Sequence, residues 1–355
     1  MAMMVNRRKF IVYSSAALGT SLLLKACTSQ PTSETENPST AAADTPFKVA
    51  AVFVGVVTDK GWNQSAFEGL NAAKERLGFE FSYVERTAAP DQAEALSEFA
   101  RQGFDVVLGH SGEFVGPTQQ VASQFPDTQF LVTNGGIADA NIVSVQTNNL
   151  QAGYLAGTTA GLVTKANKIA FVVAKQFKAM DQLLRGFELG AKSVNPAVEV
   201  TASYTGDWDD VAKAKEATSA LISSGSDVIY SYLDSAYLGS LEAVKEKGVY
   251  LIGHTSDRLD DAPELIATSV IQNVGMAIAS VVELAKNGEL ESQNYVVGAE
   301  NPEVLHLGRF SQVLAPEIKQ TVEDVEKQFQ AGELVFEDCQ VEGAESWCLK
   351  ESTPA

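Results

Sequence analysis

From residue 47 onward, short runs rich in Val, Ile and Phe alternate with longer amphipathic stretches, and the whole alternation occurs twice. The apolar runs lie at 48–57, 80–85, 106–109, 130–133, 142–146, 168–174, 199–204, 228–232, 250–253 and 268–271. Helical patterns lie between them at 63–77, 89–101, 115–125, 152–164, 180–194, 210–223 and 236–247. A continuous apolar run marks a strand covered on both faces, and such strands alternating with helices make parallel sheets. With a change of rhythm near Asn149, the pattern predicts an α/β chain of two doubly wound lobes. Each lobe takes about 150 residues, enough for a core of its own.

The halves share a pattern without being a strict repeat. Phe104-Asp105-Val106-Val107-Leu108 is matched by Ser226-Asp227-Val228-Ile229-Tyr230, each after a helix that ends near Gly103 or Gly225. Both glycines stand where a helix C-terminus needs a left-handed residue. Open α/β sheets bind ligands beyond the carboxyl ends of their strands. The candidate binding residues are therefore the polar ones just past each apolar run. In the first half these are Asp59, Trp62, Asn63, His110, Ser111 and Asn134; in the second they are Lys175, Asp234, Ser235, Thr255, Asp257 and Gln272. Two aromatics stand out in these loops: Trp62, after Asp59-Lys60-Gly61, and Trp208, after Gly206-Asp207. A large aromatic in a polar loop is ordinarily a packing anchor, but a position past a strand end also suits a stacking platform. Stacking on a planar heterocycle is worth roughly 1–3 kcal/mol per base.

A catalytic set is hard to assemble. The three histidines, His110, His254 and His306, include no i, i+4 pair, and there is no Cys-x-x-Cys, so no zinc site is indicated. The Gly-x-Ser-x-Gly elbow and both glycine-rich phosphate loops are missing as well. His110-Ser111 are adjacent in a loop, and neighbours in a loop rarely face one another as a base and a nucleophile must. Asp209-Asp210 precede a helix, where acids serve as caps. No metal, catalytic cofactor or enzymatic activity is indicated.

The first 26 residues read as an address. Arg7, Arg8 and Lys9 precede an apolar run at 10–24, too short for the about 20 residues that span a bilayer and suited to an export signal. Arg7-Arg8-Lys9-Phe10 looks like a twin-arginine signal. Leu24-Lys25-Ala26-Cys27 resembles a lipobox, with Cys27 as the lipidated residue; Lys25 departs from the usual pattern, and an uncleaved N-terminal anchor is the alternative. Residues 28–46 are rich in Ser, Thr, Pro, Ala and Glu and read as a flexible tether. The expected location is the periplasm or the outer face of the cytoplasmic membrane, lipid-anchored. Loss of the signal leaves 22 basic against 45 acidic residues, a net charge of −23, which repels nucleic acid and anionic headgroups. An oxidising compartment favours a disulfide between Cys339 and Cys348, with free buried thiols as the alternative.

Asp59-Lys60-Gly61-Trp62-Asn63-Gln64-Ser65-Ala66-Phe67-Glu68-Gly69 resembles the opening signature of the basic membrane protein (BMP) family of substrate-binding lipoproteins. Further matches follow in order at 151–157 (Gln-Ala-Gly-Tyr-Leu-Ala-Gly), 186–196 and 243–253. The resemblance implies the type I periplasmic binding protein fold, two lobes joined by three crossovers. It divides the chain into 47–149 with about 274–297, and 150–273 with about 298–349. It also implies a monomeric receptor for purine nucleosides or, in some members, free bases, handing its ligand to ABC permease subunits. The family's stacking Phe is Trp62 here; Asn63 matches a residue that helps hold the base, and Asp59 the acidic start of the motif. Where the family grips ribose with an Asp and a Lys, this chain has Thr255 and Gln272. Removing both members of a charged pair keeps a pocket balanced, so the expectation is a purine-type nucleobase without ribose. A nucleoside binder and a same-fold sensor lipoprotein are the alternatives, and an exported purine enzyme is disfavoured.

Overall fold

The computed structural model describes residues 46–59, 61–341 and 344–351. The expected export signal, the lipidation at Cys27 and all but the last residue of the tether lie outside them, as does Lys60.

The first sheet is built from β1 (Lys48–Phe53), α1 (Trp62–Leu77), β2 (Glu80–Val84), α2 (Gln92–Arg101), β3 (Val106–His110), α3 (Val115–Val121), β4 (Gln129–Thr133) and β5 (Ile142–Thr147). The chain then crosses to α4 (Asn149–Val163), β6 (Lys168–Val173), α5 (Lys178–Val194), β7 (Glu199–Tyr204), α6 (Val211–Ser223), β8 (Val228–Tyr232), α7 (Tyr237–Lys247), β9 (Tyr250–His254) and β10 (Ile266–Gln272). It returns as α8 (Val274–Asn287) and β11 (Asn294–Val297), and crosses again to β12 (Leu305–Leu307) and α9 (Pro316–Gln330). A hairpin, β13 (Leu334–Val341) with β14 (Ala344–Glu351), follows. The strand orders are β2-β1-β3-β4-β5-β11 and β7-β6-β8-β9-β10-β12. Every pairing in the two sheets is parallel except β10 with β12. Two doubly wound α/β lobes are thus joined by three crossovers.

The continuous apolar runs become the buried central strands: Val49–Phe53 and β3 are buried throughout. The first run stops short of Val57. Past Phe53 the backbone leaves the ladder, with Arg86 N–H donating to Gly55 O at 3.0 Å and Val57 N–H to the Glu85 carboxylate at 2.9 Å. Pro90 makes the start of the second helical stretch a single tight turn ahead of α2. Gly103 and Gly225 do adopt left-handed φ, +72° and +106°.

In lobe two, α4 and α5 pack at backbone contact. A Cβ added to Gly157 would lie 2.0 Å from Phe187 O, and one on Gly190 2.1 Å from Tyr154 O. In lobe one, Gly275 of α8 meets α1 the same way, 2.1 Å from Ser65 O. The hairpin is closed by a Cys339–Cys348 disulfide, with Cα atoms 5.9 Å apart. Phe336 and Leu349 pack on the lobe-two core, and Arg185 Nε donates to Trp347 O at 3.2 Å.

Candidate functional site

Between the carboxyl ends of the two sheets lies a cavity of about 480 Å³, within the range typical of small-molecule sites. Lobe one lines it with Val54, Trp62, Asn63, Ser111, Gly112, Glu113 and Asn134. Lobe two lines it with the 175–180 segment and with Trp208, Tyr232, Asp234, His254 and Thr255.

The lobe-one wall is built around the start of α1. Asp59 places its carboxylate at the helix N-terminus, accepting from the N–H groups of Gly61 (2.9 Å), Asn63 (3.0 Å) and Gln64 (3.0 Å) and from Asn63 Nδ2 (2.7 Å). The anion slot that a helix start offers is therefore taken by the protein itself. Because an ionised carboxylate only accepts, Asn63 must turn its amide nitrogen toward Asp59, and Asn63 Oδ1 is left as a buried acceptor with no partner among the described residues. Asn134 Oδ1 is in the same position. Gly55 makes room for this arrangement: a Cβ there would lie 2.7 Å from Asn63 Nδ2.

Trp62 lies flat on the His110 ring, centroids 5.0 Å apart and planes inclined by 19°. His110 is fully buried; its Nε2 faces Trp62 O at 3.2 Å and its Nδ1 faces Thr133 Oγ1 at 3.2 Å. A carbonyl only accepts, so Nε2 carries the proton and Nδ1 accepts from the threonine. Burial pushes the His110 pKa down to about 4, against smaller opposing effects of the Trp62 carbonyl and Asp59. A neutral His110 is thus the floor under the indole, and Asp59 and His110 act by fixing Trp62 and Asn63 without lining the cavity.

The lobe-two wall comes from loops. Trp208 O accepts from Ala236 N–H at 3.1 Å, and its ring meets Phe177 edge to face at 6.4 Å. Phe177 is 38% exposed. His254 meets Tyr232 at 4.3 Å; burial, then Arg258, pushes its pKa down to about 3, so it too is neutral. Thr255 holds φ +64°, its N–H donating to Val270 O at 3.1 Å. A β-branched residue in the left-handed region is strained, by about 1–3 kcal/mol. Asp234 reaches across the cleft to Gly61, where an added Cβ would lie 2.9 Å from its Oδ1, and burial, followed by Asp59 and Asp209, pushes its pKa up to about 7. At the rim Lys175 lies 3.8 Å from Glu113, an exposed pair of little energetic weight.

The cavity therefore gathers Trp62, Asn63, Ser111, Asn134, Lys175, Trp208, Asp234 and Thr255 from among the candidates. Besides Asp59 and His110, which stand behind the lobe-one wall, three others stand elsewhere. Asp257 is turned to Arg309, receiving Nε at 2.5 Å, and to Leu259 N–H at 3.0 Å. Ser235 donates to Asp209. Gln272 is fully buried and ties two crossovers, its Nε2 donating to Thr147 Oγ1 (2.8 Å) and Asn149 Oδ1 (3.1 Å). Phe177, Glu113, Tyr232 and His254 line the cavity without having been singled out in the sequence. Phe177 carried a usable signal, an aromatic in a polar loop just past β6. Tyr232 did not, since it closes the apolar run at 228–232; His254 did, being the polar residue just past the run at 250–253, in the position that marked His110. Among the described residues no group of three or more His, Cys, Asp or Glu could hold a metal, and no helix is long and apolar enough to cross a membrane.

Residues 47–335 match the Bmp family, whose description is ABC transporter substrate-binding protein, PnrA-like. The chain is 27% identical over 297 residues to the transcriptional activator protein Med of Bacillus subtilis, covering 82% of this chain and 92% of that one. It is 27% identical over 307 residues to the ABC transporter nucleoside-binding protein BmpA of Lactococcus lactis (80% and 86% covered). With a purine-binding protein of Brucella abortus it shares 26% over 297 residues (83% and 84% covered). An ABC transporter solute-binding protein from Aeropyrum pernix superposes with a TM-score of 0.71 at 20% identity, over 84% of this chain and 95% of that one. The fold is that of the type I periplasmic binding proteins. With a two-lobed cleft at the strand ends and a family match over most of its length, the chain belongs to the Bmp family of PnrA-like ABC transporter substrate-binding proteins, which are receptors and not enzymes.

Proposed function

We propose that the cleft takes a planar purine-type heterocycle, a free nucleobase in preference to a nucleoside, and that the closed receptor delivers it to an ABC permease. The observation that carries this reading is the Trp62 indole, backed by the buried His110 ring and faced across a cavity of about 480 Å³ by Trp208 and Phe177. Such a slot suits a flat ring. The unpartnered acceptors Asn63 Oδ1 and Asn134 Oδ1 favour a ligand that brings N–H donors, because a buried acceptor without a partner costs about 1–3 kcal/mol. A free base has one ring N–H more than its nucleoside. Thr255, standing at the cavity wall where the family carries a ribose-gripping acid, supports the same preference; Gln272 does not bear on it, being a hinge residue. The moving bodies in this reading are 47–149 with about 274–297, and 150–273 with about 298–349. The likeness to purine- and nucleoside-binding relatives supports the ligand class, and Cys27 is the proposed lipid anchor of an otherwise monomeric protein.

The likeness to a transcriptional activator favours a second reading, in which the same pocket reports occupancy to a signalling partner. A net charge of −19 opposes direct contact with nucleic acid. Neighbouring permease and ATPase genes would support transport, a neighbouring kinase gene the sensor.

Thermal unfolding of the full chain with adenine, guanine, hypoxanthine, xanthine, urate, their nucleosides, uridine, a pentose and an amino-acid mixture tests the ligand class. A ligand at 100 times its Kd adds about 2.7 kcal/mol of stability. A shift with a base and a smaller one with its nucleoside is expected. A shift only with sugars or amino acids overturns the purine reading and leaves the receptor role intact.

A further inference from the structure

We propose that the groove behind the hinge, between β11 and the disulfide-closed hairpin, is a second binding site, and that it takes a free hydroxylated amine of about the size of an amino sugar. The cavity there measures about 530 Å³ and shares no lining residue with the cleft. Lobe one supplies Asn294 and Val296 of β11, the crossovers supply the floor, and the hairpin closes the far side. Past Val335 the hairpin lies beyond the residues that match the family, so this wall belongs to the chain's own C-terminal addition.

The hairpin end of the groove suits a cation. Asp338 and Trp347 stand directly opposite in the β13–β14 register, which puts both side chains on one face, about 5 Å apart at Cβ, and both line the cavity. The Cys339–Cys348 disulfide clamps the adjoining step. Phe336, two residues before Asp338, stacks on Phe329 at 5.9 Å and so holds the pair to lobe two. The Asp338 carboxylate has no hydrogen bond or ion pair among the described residues. A carboxylate beside an indole is a match for an organic cation, and no Lys, Arg or His lines the cavity among the described residues. Arg185, which reaches the same strand, is engaged by Trp347 O at 3.2 Å and Glu188 at 3.6 Å. A metal ion is a poorer match, because only two carboxylates, Asp338 and Glu300, line the groove.

The crossover end offers donors. Asn148 Oδ1 accepts from Gln151 N–H (3.1 Å), Asn149 Oδ1 from Gln272 Nε2 (3.1 Å) and Gln151 Oε1 from Ala299 N–H (2.8 Å). A carboxamide that gives its oxygen to the protein still has an NH2 to donate. Asn149 is 2% exposed, and its Nδ2 has no partner among the described residues, so it calls for an acceptor from outside. Beside these donors Glu300 lines the cavity, one oxygen held by Gly298 N–H at 2.7 Å. A hydroxyl satisfies both kinds of neighbour, accepting from a carboxamide and donating to Glu300, whereas an anionic group would meet two like charges. The ligand therefore carries its ammonium toward Asp338 and Trp347 and its hydroxyls toward the crossovers.

This inference stands apart from what the cleft binds. The chain has three tryptophans, Trp62, Trp208 and Trp347, so the indole N–H signals of the full chain in proton–nitrogen NMR report cleft and groove separately, with Trp347→Phe identifying the third. Glucosamine hydrochloride, with its amine protonated, is titrated against N-acetylglucosamine, glucose, calcium chloride and sodium chloride at matched ionic strength. A saturable shift of the Trp347 signal at a Kd of about 1 mM or tighter is expected with glucosamine alone, with the Trp62 and Trp208 signals unmoved. Asp338→Asn, an exposed and isosteric change, should weaken it about threefold. No saturable shift, an equal shift with N-acetylglucosamine or either salt, or an unchanged Kd in Asp338→Asn overturns the site. If adenine leaves the Trp62 signal unmoved, the purine reading fails while the glucosamine titration still decides the groove.

Discussion

On the lobe-one side of the cleft Trp62 rests on a ring that is itself buried and bonded at both nitrogens, above a helix start tied by four hydrogen bonds to Asp59. On the lobe-two side Phe177 and Trp208 leave separate loops and meet only edge to face, with Phe177 more than a third exposed. One wall is fixed by its own contacts; the other, more exposed and less tied, is expected to be the adaptable one. Binding energy is best used where little ordering has to be supplied at the moment of contact, so the fixed wall should carry affinity and the adaptable wall should refine it.

The largest expected effect is therefore at Trp62. Trp62→Ala should weaken adenine binding by about 100-fold, the upper part of the stacking range, as read by calorimetric titration. Asp59→Ala should cost about 2 kcal/mol of stability in urea unfolding, because it leaves helix-start donors without their acceptor. His110 gives a pH signature on the same side. The unfolded imidazole takes a proton near 6.5 and the folded one only near 4. The unfolded chain thus binds more protons between those values, and stability from this group is whole above about pH 6.5 and is lost as pH falls toward 4. Denaturant midpoints across that window should fall by the equivalent of about 2 kcal/mol more in wild type than in His110→Gln. Asp234 contributes the opposite slope to both proteins and cancels in the difference. On the adaptable wall Trp208→Ala should cost about tenfold in affinity and Phe177→Ala about threefold. If these two exceed Trp62→Ala, the assignment of fixed and adaptable walls is the wrong way round.

Much of the fold was legible because continuous apolar runs have few other uses. The strands at 199–204 and 228–232 begin and end where the periodicity places them. The short strands β11 and β12 were not seen, being four and three residues long and only partly buried. The family matches at 151–157 and 186–196 turn out to have a packing cause. Gly153, Gly157, Gly186 and Gly190 let α4 and α5 touch backbone to backbone, a constraint invisible until the partner helix is known.

At the site, position past a strand end led to Trp62, Asn134 and Thr255, which line the cavity because the backbone there has left the sheet. It failed for Asp257 and Gln272. Asp257 stands past β9 and Gln272 is the last residue of β10, and partners distant in sequence, Arg309 and Thr147, draw them away. No local pattern announces a hydrogen bond across 125 residues.

The measurement that bears most directly on the central claim is an equilibrium titration of the full chain with adenine and with adenosine, followed by tryptophan fluorescence. The account predicts adenine binding at about micromolar Kd or tighter, near −8 kcal/mol, and adenosine at least about tenfold weaker. Tighter binding of adenosine, or no response to either purine while a sugar or amino acid saturates the signal, would contradict it.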